Sequence, residues 1–335
     1  MTRESESAET IKVIAGMEVM SLGNGVNLPC HCIPYGLNPQ FLHRSAEVAQ
    51  IGEILNPGSG EDGNKLRVLA IHGLGGVGKT QLALHYANAS LNLFDAIAFI
   101  PSETLIKSSQ AIASFATKLR LPTDENDAKG GDMQAIFKVK DWLNTSNRRF
   151  LLIFDNVEEV DIILPVWPSS DKGSILITTR SSSIAAKRAT KLLHLTSFLP
   201  ETGLQALYTL TGFHAENGSE TTAAREICRL LGGLPLALVQ ISQFIRERGY
   251  SYEEFLRLYE KSAAKIFLRG EAPPEYNHTL STVWEISIED LPQDARTLQN
   301  LLAFFDPDSV AERLLTDTRA SLTHERLQFL FDELE

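Results

Sequence analysis

The chain has 335 residues, of which 43% are hydrophobic and 22% are charged, a composition typical of a soluble globular protein with two or three domains. Its formal net charge of −11 argues against a general nucleic-acid-binding surface, which is normally basic on at least one face. No apolar stretch reaches the length of a membrane helix, and the N-terminus, Met1-Thr2-Arg3-Glu4-Ser5-Glu6, does not resemble a secretory signal. We therefore expect a cytoplasmic protein that binds neither nucleic acid nor a membrane.

The cysteine content agrees with a reducing compartment. The three cysteines Cys30, Cys32 and Cys228 form no disulfide framework, because their number is odd and their spacing shows no pattern. The run Cys30-His31-Cys32 suggests zinc, but a structural zinc site needs a second pair of ligands, and no second cluster occurs in the sequence. We therefore expect free thiols.

The predicted elements alternate between helix and strand up to about residue 198. Residues 1–40 show weak periodicity and many turn-prone residues, so we expect a poorly ordered leader or a segment of unknown structure. The predicted elements that follow are helix 44–55, strand 66–72, helix 81–89, strand 96–100, helix 106–119, a helix through Phe137, Val139 and Trp142, strand 150–155, strand 174–180 and strand 192–195. This order predicts an α/β domain over residues 41–198, with a parallel sheet flanked by helices.

Beyond Pro200 the strand signal ends and apolar residues recur at helical spacing. Helices are predicted over 202–210, 223–231, 236–246 and 252–261, which gives a helical subdomain at residues 199–270. A loop with Pro273-Pro274 separates it from a further, mainly helical portion at residues 278–335.

The segment from Gly73 to Thr80 (GLGGVGKT) fits the phosphate-binding pattern G-x-x-x-x-G-K-[ST] and lies between a predicted strand and a predicted helix, which disfavours a chance glycine-rich turn. Its glycines let backbone N–H groups approach a phosphate closely. Lys79 supplies charge to the β- and γ-phosphates, and the Thr80 hydroxyl is a Mg²⁺ ligand. The residues that we expect around the phosphates are Gly73, Gly75, Gly76, Val77, Gly78, Lys79, Thr80 and Gln81.

Asp155 ends a hydrophobic strand, Phe150-Leu151-Leu152-Ile153-Phe154-Asp155. A carboxylate there, next to the phosphate loop in the sheet, can hold the Mg²⁺ on the side opposite Thr80. The alternative is an ordinary turn or helix-capping aspartate. We predict a metal site formed by Thr80 and Asp155.

Turnover of the nucleotide also needs a group that orients or deprotonates water. The neighbour of Asp155 is Asn156, whose amide orients water but accepts no proton. Glu158 and Glu159 are nearby substitutes, although such a pair is more often solvated surface charge. The sequence therefore supports nucleotide binding more than hydrolysis, and at most a slow ATPase.

Arg180 follows the aliphatic strand Ser174-Ile175-Leu176-Ile177-Thr178-Thr179. Its position at the strand end is that of a γ-phosphate sensor, and the alternative is a surface arginine. The guanine-selective signature is absent after this strand, so we expect an adenine nucleotide.

Four motifs together resemble the NB-ARC family: the phosphate loop, residues 150–156, residues 173–180 and Gly232-Gly233-Leu234-Pro235-Leu236-Ala237-Leu238. They occur in the family's order over residues 40–245. The chain resembles a nucleotide switch of fungal NOD-like receptors. Gly-Leu-Pro-Leu-Ala-Leu is also a normal helix start with proline in the first turn, and both interpretations hold together.

The resemblance implies an ATP/ADP switch of the signal-transducing ATPase (STAND) class that acts in innate immunity, with ADP in the resting state and ATP in an oligomer-competent state. Lys79 and Thr80 would hold phosphate and Mg²⁺, Asp155 would be the acidic strand-end residue, and Arg180 the sensor. Pro235 of the helical subdomain would lie against the nucleotide. A homo-oligomer and an unidentified protein effector would be the partners of the activated chain.

The chain also departs from the family pattern. Residues 41–47 occupy the place of the family's base-contacting element, where only Arg44 and in part Glu47 match. Residues 282–287 and 301–307 resemble the opening of a winged-helix subdomain, so we expect a partial winged helix at 278–335. No Met-His-Asp motif follows, as in a truncated receptor core or a short family member. The acidic excess of this portion disfavours DNA contact.

Three functions follow from these patterns. The first is an ATP/ADP-binding switch whose nucleotide state controls the arrangement of its subdomains and self-association. The second is a working ATPase that remodels a partner. The third is a degenerate scaffold that keeps the fold without binding a nucleotide.

Overall fold

The computed structural model describes residues 25–42, 44–58, 65–121, 131–170, 172–215, 217–268, 288, 291–305 and 310. The chain divides into two compact units, Met1–Ser197 and Phe198–Glu335. The sequence places its own boundary after residue 198.

The first unit contains a sheet of six parallel strands in the order β1-β3-β4-β5-β2-β6. The strands are β1 (Cys30–Cys32), β2 (Arg67–His72), β3 (Ala96–Pro101), β4 (Phe150–Asp155), β5 (Ser174–Thr179) and β6 (Lys191–His194). Every residue of β4 and β5 is buried, because helices cover both faces of a parallel sheet. The predicted α/β fold with a parallel sheet is confirmed.

The described part of this unit contains five α-helices: α1 (Ser45–Leu55), α2 (Lys79–Ala89), α3 (Leu105–Leu119), α4 (Gly131–Thr145) and α5 (Ser182–Arg188). Short 3₁₀ turns lie at Leu91–Leu93, Val160–Ile162 and Leu164–Val166. Side-chain caps start two of the helices, since Thr104 accepts from the Lys107 N–H and Ser181 from the Ile184 N–H. Such caps satisfy backbone donors that the first turn leaves open. The spacing of apolar residues predicts four of these helices, and α5 is an addition.

The core of the first unit follows the two-residue period of its strands. Val68 and Ala70 of β2 belong to one large cluster of buried side chains, together with Phe150 and Phe154 of β4. The intervening residue Leu69 is buried as well but faces the other side of the sheet. The Phe115 ring of α3 meets the Trp142 ring of α4 edge to face, with centroids 6.4 Å apart. Both faces of the sheet are therefore packed.

Strand β1 lies within residues 1–40, where the sequence predicts a poorly ordered leader or a segment of unknown structure. Its residues pair in parallel with β3, with Cys30 opposite Ala96, and the Cys30 N–H donates to the Asp95 carbonyl over 3.0 Å. Asn27 N–H also donates to the Leu119 carbonyl over 2.8 Å. Three residues are too few to show alternation, so the sequence pattern does not reveal an edge strand of this length. Residues 1–24 lie outside the described residues.

The second unit is helical in its described part. Its helices are α6 (Pro200–Thr211), α7 (Gly218–Leu230), α8 (Pro235–Arg248), α9 (Tyr252–Leu268) and α10 (Gln293–Leu302). Tyr252 is fully buried; its hydroxyl donates to the Phe213 carbonyl over 2.6 Å, and its N–H donates to the Glu220 carboxylate over 2.8 Å. These bonds satisfy polar groups that burial would otherwise leave unpaired.

The predicted winged helix at 278–335 lies mostly outside the described residues, which include α10 and little else of that portion. Within the parts of the chain that the structure describes, no helix combines the length and the apolar character that a membrane crossing requires.

Candidate functional site

The phosphate loop connects β2 to α2 and has positive φ angles at three glycines, Gly73, Gly76 and Gly78. Gly73 has a φ of +151°, and a Cβ atom there would lie 2.2 Å from the Leu195 carbonyl oxygen. Gly78 has a φ of +97° and directly precedes α2. Because L-residues rarely adopt such φ values, these glycines allow the loop to turn sharply into the helix N-terminus, where backbone N–H groups favour anions.

Lys79 lies buried beneath this loop. Its Nζ donates to the Gly73 and Leu74 carbonyl oxygens over 2.9 and 2.8 Å. Burial lowers the pKa of Lys79, the positive charge of Arg180 lowers it further, and Asp155 opposes both effects. Asp155 and the exposed Arg180 therefore both lie within electrostatic reach of Lys79.

The Asp155 carboxylate accepts hydrogen bonds from two threonines. Thr80 Oγ1 donates to Oδ1 and Oδ2 over 2.9 and 3.1 Å, and Thr178 Oγ1 donates to Oδ1 over 2.6 Å. Burial raises the pKa of Asp155; the bonds from Thr178 and Thr80 oppose the rise, and the charge of Glu103 adds to it. A buried acceptor with two donors is held in one orientation.

Asp155 lies beside the phosphate loop, since Thr80 donates to its carboxylate, although its strand does not pair with β2. Strand β5 lies in the gap between β2 and β4. Thr178, which lies in β5, fills that gap and contacts Asp155. The crossover connections set the strand order, and they lie outside the short windows that sequence motifs cover.

The donor set around Asp155 fits Mg²⁺. A carboxylate and a hydroxyl are hard oxygen ligands, which Mg²⁺ prefers, and this ion takes the rest of its shell from water and phosphate. The Thr80 hydroxyl and the carboxylate are already within hydrogen-bond distance, so both oxygens converge on one point. Thr80 and Asp155 would hold the ion, which would neutralise phosphate charge when it is bound.

Glu103 is the acidic residue whose charge raises the pKa of Asp155, and the sequence motifs do not point to it. Glu158 and Glu159 are exposed, whereas Glu103 acts on Asp155 electrostatically, and its buried Oε2 lies 3.8 Å from the Lys107 ammonium. Glu103 follows β3, whose last residue Pro101 stands opposite Asp155. The convergence of parallel strand ends at one edge was the available signal.

Asn156 adopts a left-handed backbone with a φ of +57°. Its N–H donates to Thr178 Oγ1 over 2.8 Å, so its backbone belongs to the same network as Asp155. Asparagine tolerates this conformation better than most residues, which gives Asn156 a structural role beside its predicted role at the water.

Arg44 is buried and braces the phosphate loop. Its guanidinium donates to the Glu47 carboxylate over 2.7 Å and to the Thr196 carbonyl over 2.6 Å, with a longer contact of 3.5 Å to the Val77 carbonyl. The contact of Arg44 with the nucleotide base stays a prediction. Gln81 is exposed on α2, where its side-chain oxygen accepts from Asn38 over 3.0 Å.

The remaining predicted residues divide between the two units. Val77 is fully buried and anchors the loop to the core, with Gly75 and Gly76 beside it in the loop. Pro235 begins α8 in the second unit, and its contact with the nucleotide stays a prediction.

Models of two known families match parts of the chain. The NB-ARC domain model matches residues 46–218, and a domain of unknown function, DUF7779, matches residues 286–335. The chain belongs to the NB-ARC family. The NB-ARC resemblance that the four motifs indicate is thereby confirmed.

Relatives of this NB-ARC chain occur in fungi, bacteria and plants. It is 28% identical over 289 residues to a nucleotide-binding leucine-rich repeat (NLR)-like protein of Hyaloscypha variabilis, covering 77% of this chain and 28% of that protein. It is 28% identical over 299 residues to the regulatory protein AfsR of Streptomyces griseus, covering 83% and 29%, and 25% identical over 266 residues to a probable disease resistance protein of Arabidopsis thaliana, covering 74% and 28%. The chain thus spans less than a third of the length of these relatives.

Two solved structures also resemble the NB-ARC chain. A Walker-type ATPase of Pyrococcus abyssi matches with a TM-score of 0.47 at 13% identity, covering 72% of this chain and 78% of that one. A STAND protein of Pyrococcus horikoshii with a tetratricopeptide repeat sensor matches with a TM-score of 0.45 at 15% identity, covering 87% and 38%.

Proposed function

We propose that this NB-ARC chain is an ATP/ADP-binding switch whose nucleotide state controls the arrangement of its helical subdomain and its self-association. The observation that carries the proposal is the convergence of Lys79, Thr80 and Asp155 at one edge of the sheet. Lys79 would bind the β- and γ-phosphates, while Thr80 and Asp155 would hold Mg²⁺.

The switch would depend on the γ-phosphate. Arg180 is exposed at the end of β5, and its charge already acts on Lys79, so a bound γ-phosphate would attract both cations. A ligand shifts a conformational equilibrium only by its difference in affinity for the two states. In this proposal that difference comes from Arg180 together with Pro235, to which the family resemblance assigns a nucleotide contact.

The first test identifies what the protein carries. The chain is purified without added nucleotide and denatured, and the released nucleotide is identified by ion-pair chromatography. We expect near-stoichiometric ADP from the wild type and from the control Lys187→Ala, whose lysine is exposed on α5, and none from Lys79→Ala. A wild type that carries no nucleotide and melts at the same temperature with and without ADP would favour the degenerate scaffold.

The second test addresses self-association. Light scattering coupled to size exclusion is measured with ADP and with a non-hydrolysable ATP analogue plus Mg²⁺. We expect a larger species with the ATP analogue only, and no such species for Arg180→Gln. The same mass in both nucleotides would reject nucleotide control of assembly while leaving nucleotide binding intact.

Slow ATP hydrolysis is a second candidate function, and the position of Glu103 favours it. Its carboxylate lies at the same sheet edge as Asp155 and close enough to act on it. A carboxylate there could accept a proton from water that attacks the γ-phosphate, which Asn156 could not do. Phosphate release at saturating ATP and Mg²⁺ tests this function directly.

A further inference from the structure

A second cationic site lies in the first unit, away from the phosphate loop. A cavity of about 240 Å³ is lined by five basic residues, Lys65, Arg67, Arg148, Arg149 and Lys172, which together we call the basic pocket. None of the described residues that line it is acidic, although the chain as a whole carries a net charge of −11. Such a concentration of positive charge in an acidic protein needs a physical explanation, because like charges repel one another.

The basic pocket sits at the amino-terminal ends of the strands. Arg67 opens β2, Arg148 and Arg149 directly precede β4, and Lys172 lies two residues before β5. The phosphate loop begins at the opposite end of β2, and a six-residue strand spans roughly 20 Å. The basic pocket is therefore distinct from the nucleotide site.

Arg149 and Lys172 of the basic pocket have partners of their own. Arg149 forms an ion pair with Asp95, at 3.2 Å between Nη2 and Oδ1, and the Lys172 ammonium donates to the Asn147 amide oxygen. In Arg67, by contrast, Nε and Nη1 are buried without a hydrogen-bond partner among the described residues. Burial lowers the pKa of Arg67, but an arginine stays protonated in proteins, so this buried guanidinium edge keeps its charge without an acceptor from the residues that the structure describes. Unpaired buried donors are costly and therefore uncommon.

In the wall of the basic pocket, Gly173 lets the backbone approach the Phe150 ring closely. Gly173 has a φ of +103°, and a Cβ there would lie 2.3 Å from the Phe150 ring. Its carbonyl accepts from the Arg67 N–H over 3.2 Å. These contacts hold the start of β2 and the turn before β5 together, so the Arg67 and Lys172 backbones are fixed relative to each other.

We propose that the basic pocket binds a small phosphate-bearing polyanion. Guanidinium groups match phosphate oxygens in pairs of hydrogen bonds, and two nitrogens of Arg67 have no hydrogen-bond partner within the described part of the chain. The volume is below the roughly 300–1,000 Å³ of sites for drug-sized ligands, so the pocket suits a di- or triphosphate group rather than an extended acidic peptide, which would need a groove.

The test is calorimetric titration with inorganic tripolyphosphate at low salt, on protein saturated with Mg²⁺-ADP and, in parallel, on Lys79→Ala. Both preparations remove the phosphate loop as a competing site, so the result does not depend on the proposed switch. We expect one binding site in each. Arg148→Gln and Arg67→Gln should each weaken binding about tenfold or more, the loss typical of one charge-assisted contact.

Arg246→Gln is the matched control, since this exposed arginine lies on α8 in the second unit and removes the same charge. Equal weakening by Arg246→Gln would show non-specific attraction and overturn the proposal, as would no binding by the wild type.

Citrate in place of tripolyphosphate should bind at least tenfold more weakly. A pentaglutamate peptide that binds more tightly than tripolyphosphate would assign the basic pocket to an acidic protein segment instead. Melting curves confirm that each variant is folded. If Arg67→Gln does not fold, Arg148→Gln still tests the proposal.

Discussion

Thr80 donates its hydroxyl to both carboxylate oxygens of Asp155, at 2.9 and 3.1 Å, although these residues are 75 positions apart. Thr80 lies in the helix after β2, and β5 lies between β2 and β4, the strand that ends in Asp155. The helix N-terminus after β2 brings Thr80 forward, and the end of β4 presents Asp155. The Thr80 hydroxyl and the Asp155 carboxylate, which would share a metal ion, thus lie next to each other in the protein itself.

The Thr80 hydroxyl is therefore expected to govern Mg²⁺ dependence. Thr80→Val removes the oxygen at nearly constant shape and should weaken Mg²⁺-ATP binding by about tenfold or more, the cost of one bond to a charged group. Metal-free ADP binding should change little. Thr80→Ser keeps the oxygen and is the control. Equal loss in both variants would show that the methyl group, not the hydroxyl, matters.

Asp155→Asn should raise thermal stability without nucleotide at pH 7.5, by about 2–4 °C for each 1 kcal/mol gained. Burial raises the pKa of Asp155 in the folded protein, so its charged form costs stability above that pKa. The cost is relieved as the pH falls through the raised folded pKa towards the ordinary value. The stability gap between variant and wild type should therefore shrink as the pH is lowered.

Melting curves at pH 7.5 and pH 5 measure this gap. A variant less stable than the wild type at pH 7.5 would show that the bonds from Thr80 and Thr178 outweigh the burial of charge. In either case Mg²⁺ should no longer strengthen nucleotide binding.

Gly73→Ala is expected to destabilise the first unit by about 2 kcal/mol or more. Its Cβ would lie 2.2 Å from the Leu195 carbonyl oxygen, in a backbone region with a φ of +151°. Chemical denaturation measures the loss. Gly36→Ala is the control, because a Cβ there meets no atom within 4 Å and the φ is not positive. Similar stability of the two variants would contradict this geometry.

Arg44→Ala is expected to lower the melting temperature of the nucleotide-free chain by about 4–8 °C, as the loss of roughly 2 kcal/mol predicts. The substitution leaves the Glu47 carboxylate and the Thr196 carbonyl without the bonds of 2.7 and 2.6 Å. Lys187→Ala removes an exposed cation and should have little effect. If Arg44→Ala lowers ADP affinity at unchanged stability, Arg44 contacts the nucleotide rather than bracing the loop.

Glu103→Gln is expected to slow phosphate release by about 100-fold or more, the range for loss of a general base, with ADP affinity unchanged. Glu158→Gln is the matched control, since Glu158 is exposed just after β4. Steady-state phosphate assays at saturating ATP measure both. A slow Glu158→Gln with a normal Glu103→Gln would move the base to the turn after β4, and an inactive wild type would reject the hydrolytic candidate.

The sequence by itself determined the local chemistry of the nucleotide site. The order of residues 73–80 predicts a phosphate loop with Lys79 and Thr80 in it, and alternating apolar runs predict most helices and strands of both units. These features depend on short windows, where glycine conformation, hydrophobic period and helix propensity act among near neighbours. The family assignment follows from four such windows in order.

Only the tertiary structure decided which strand ends meet. In the tertiary structure β5 lies between β2 and β4, and Glu103 lies near enough to Asp155 to affect its pKa. Cys30–Cys32 form an edge strand of the sheet, and five cations line the basic pocket. Each of these contacts joins residues far apart in the chain. Strand order is set by crossover connections and by packing over the whole core, and no short window of sequence contains that information.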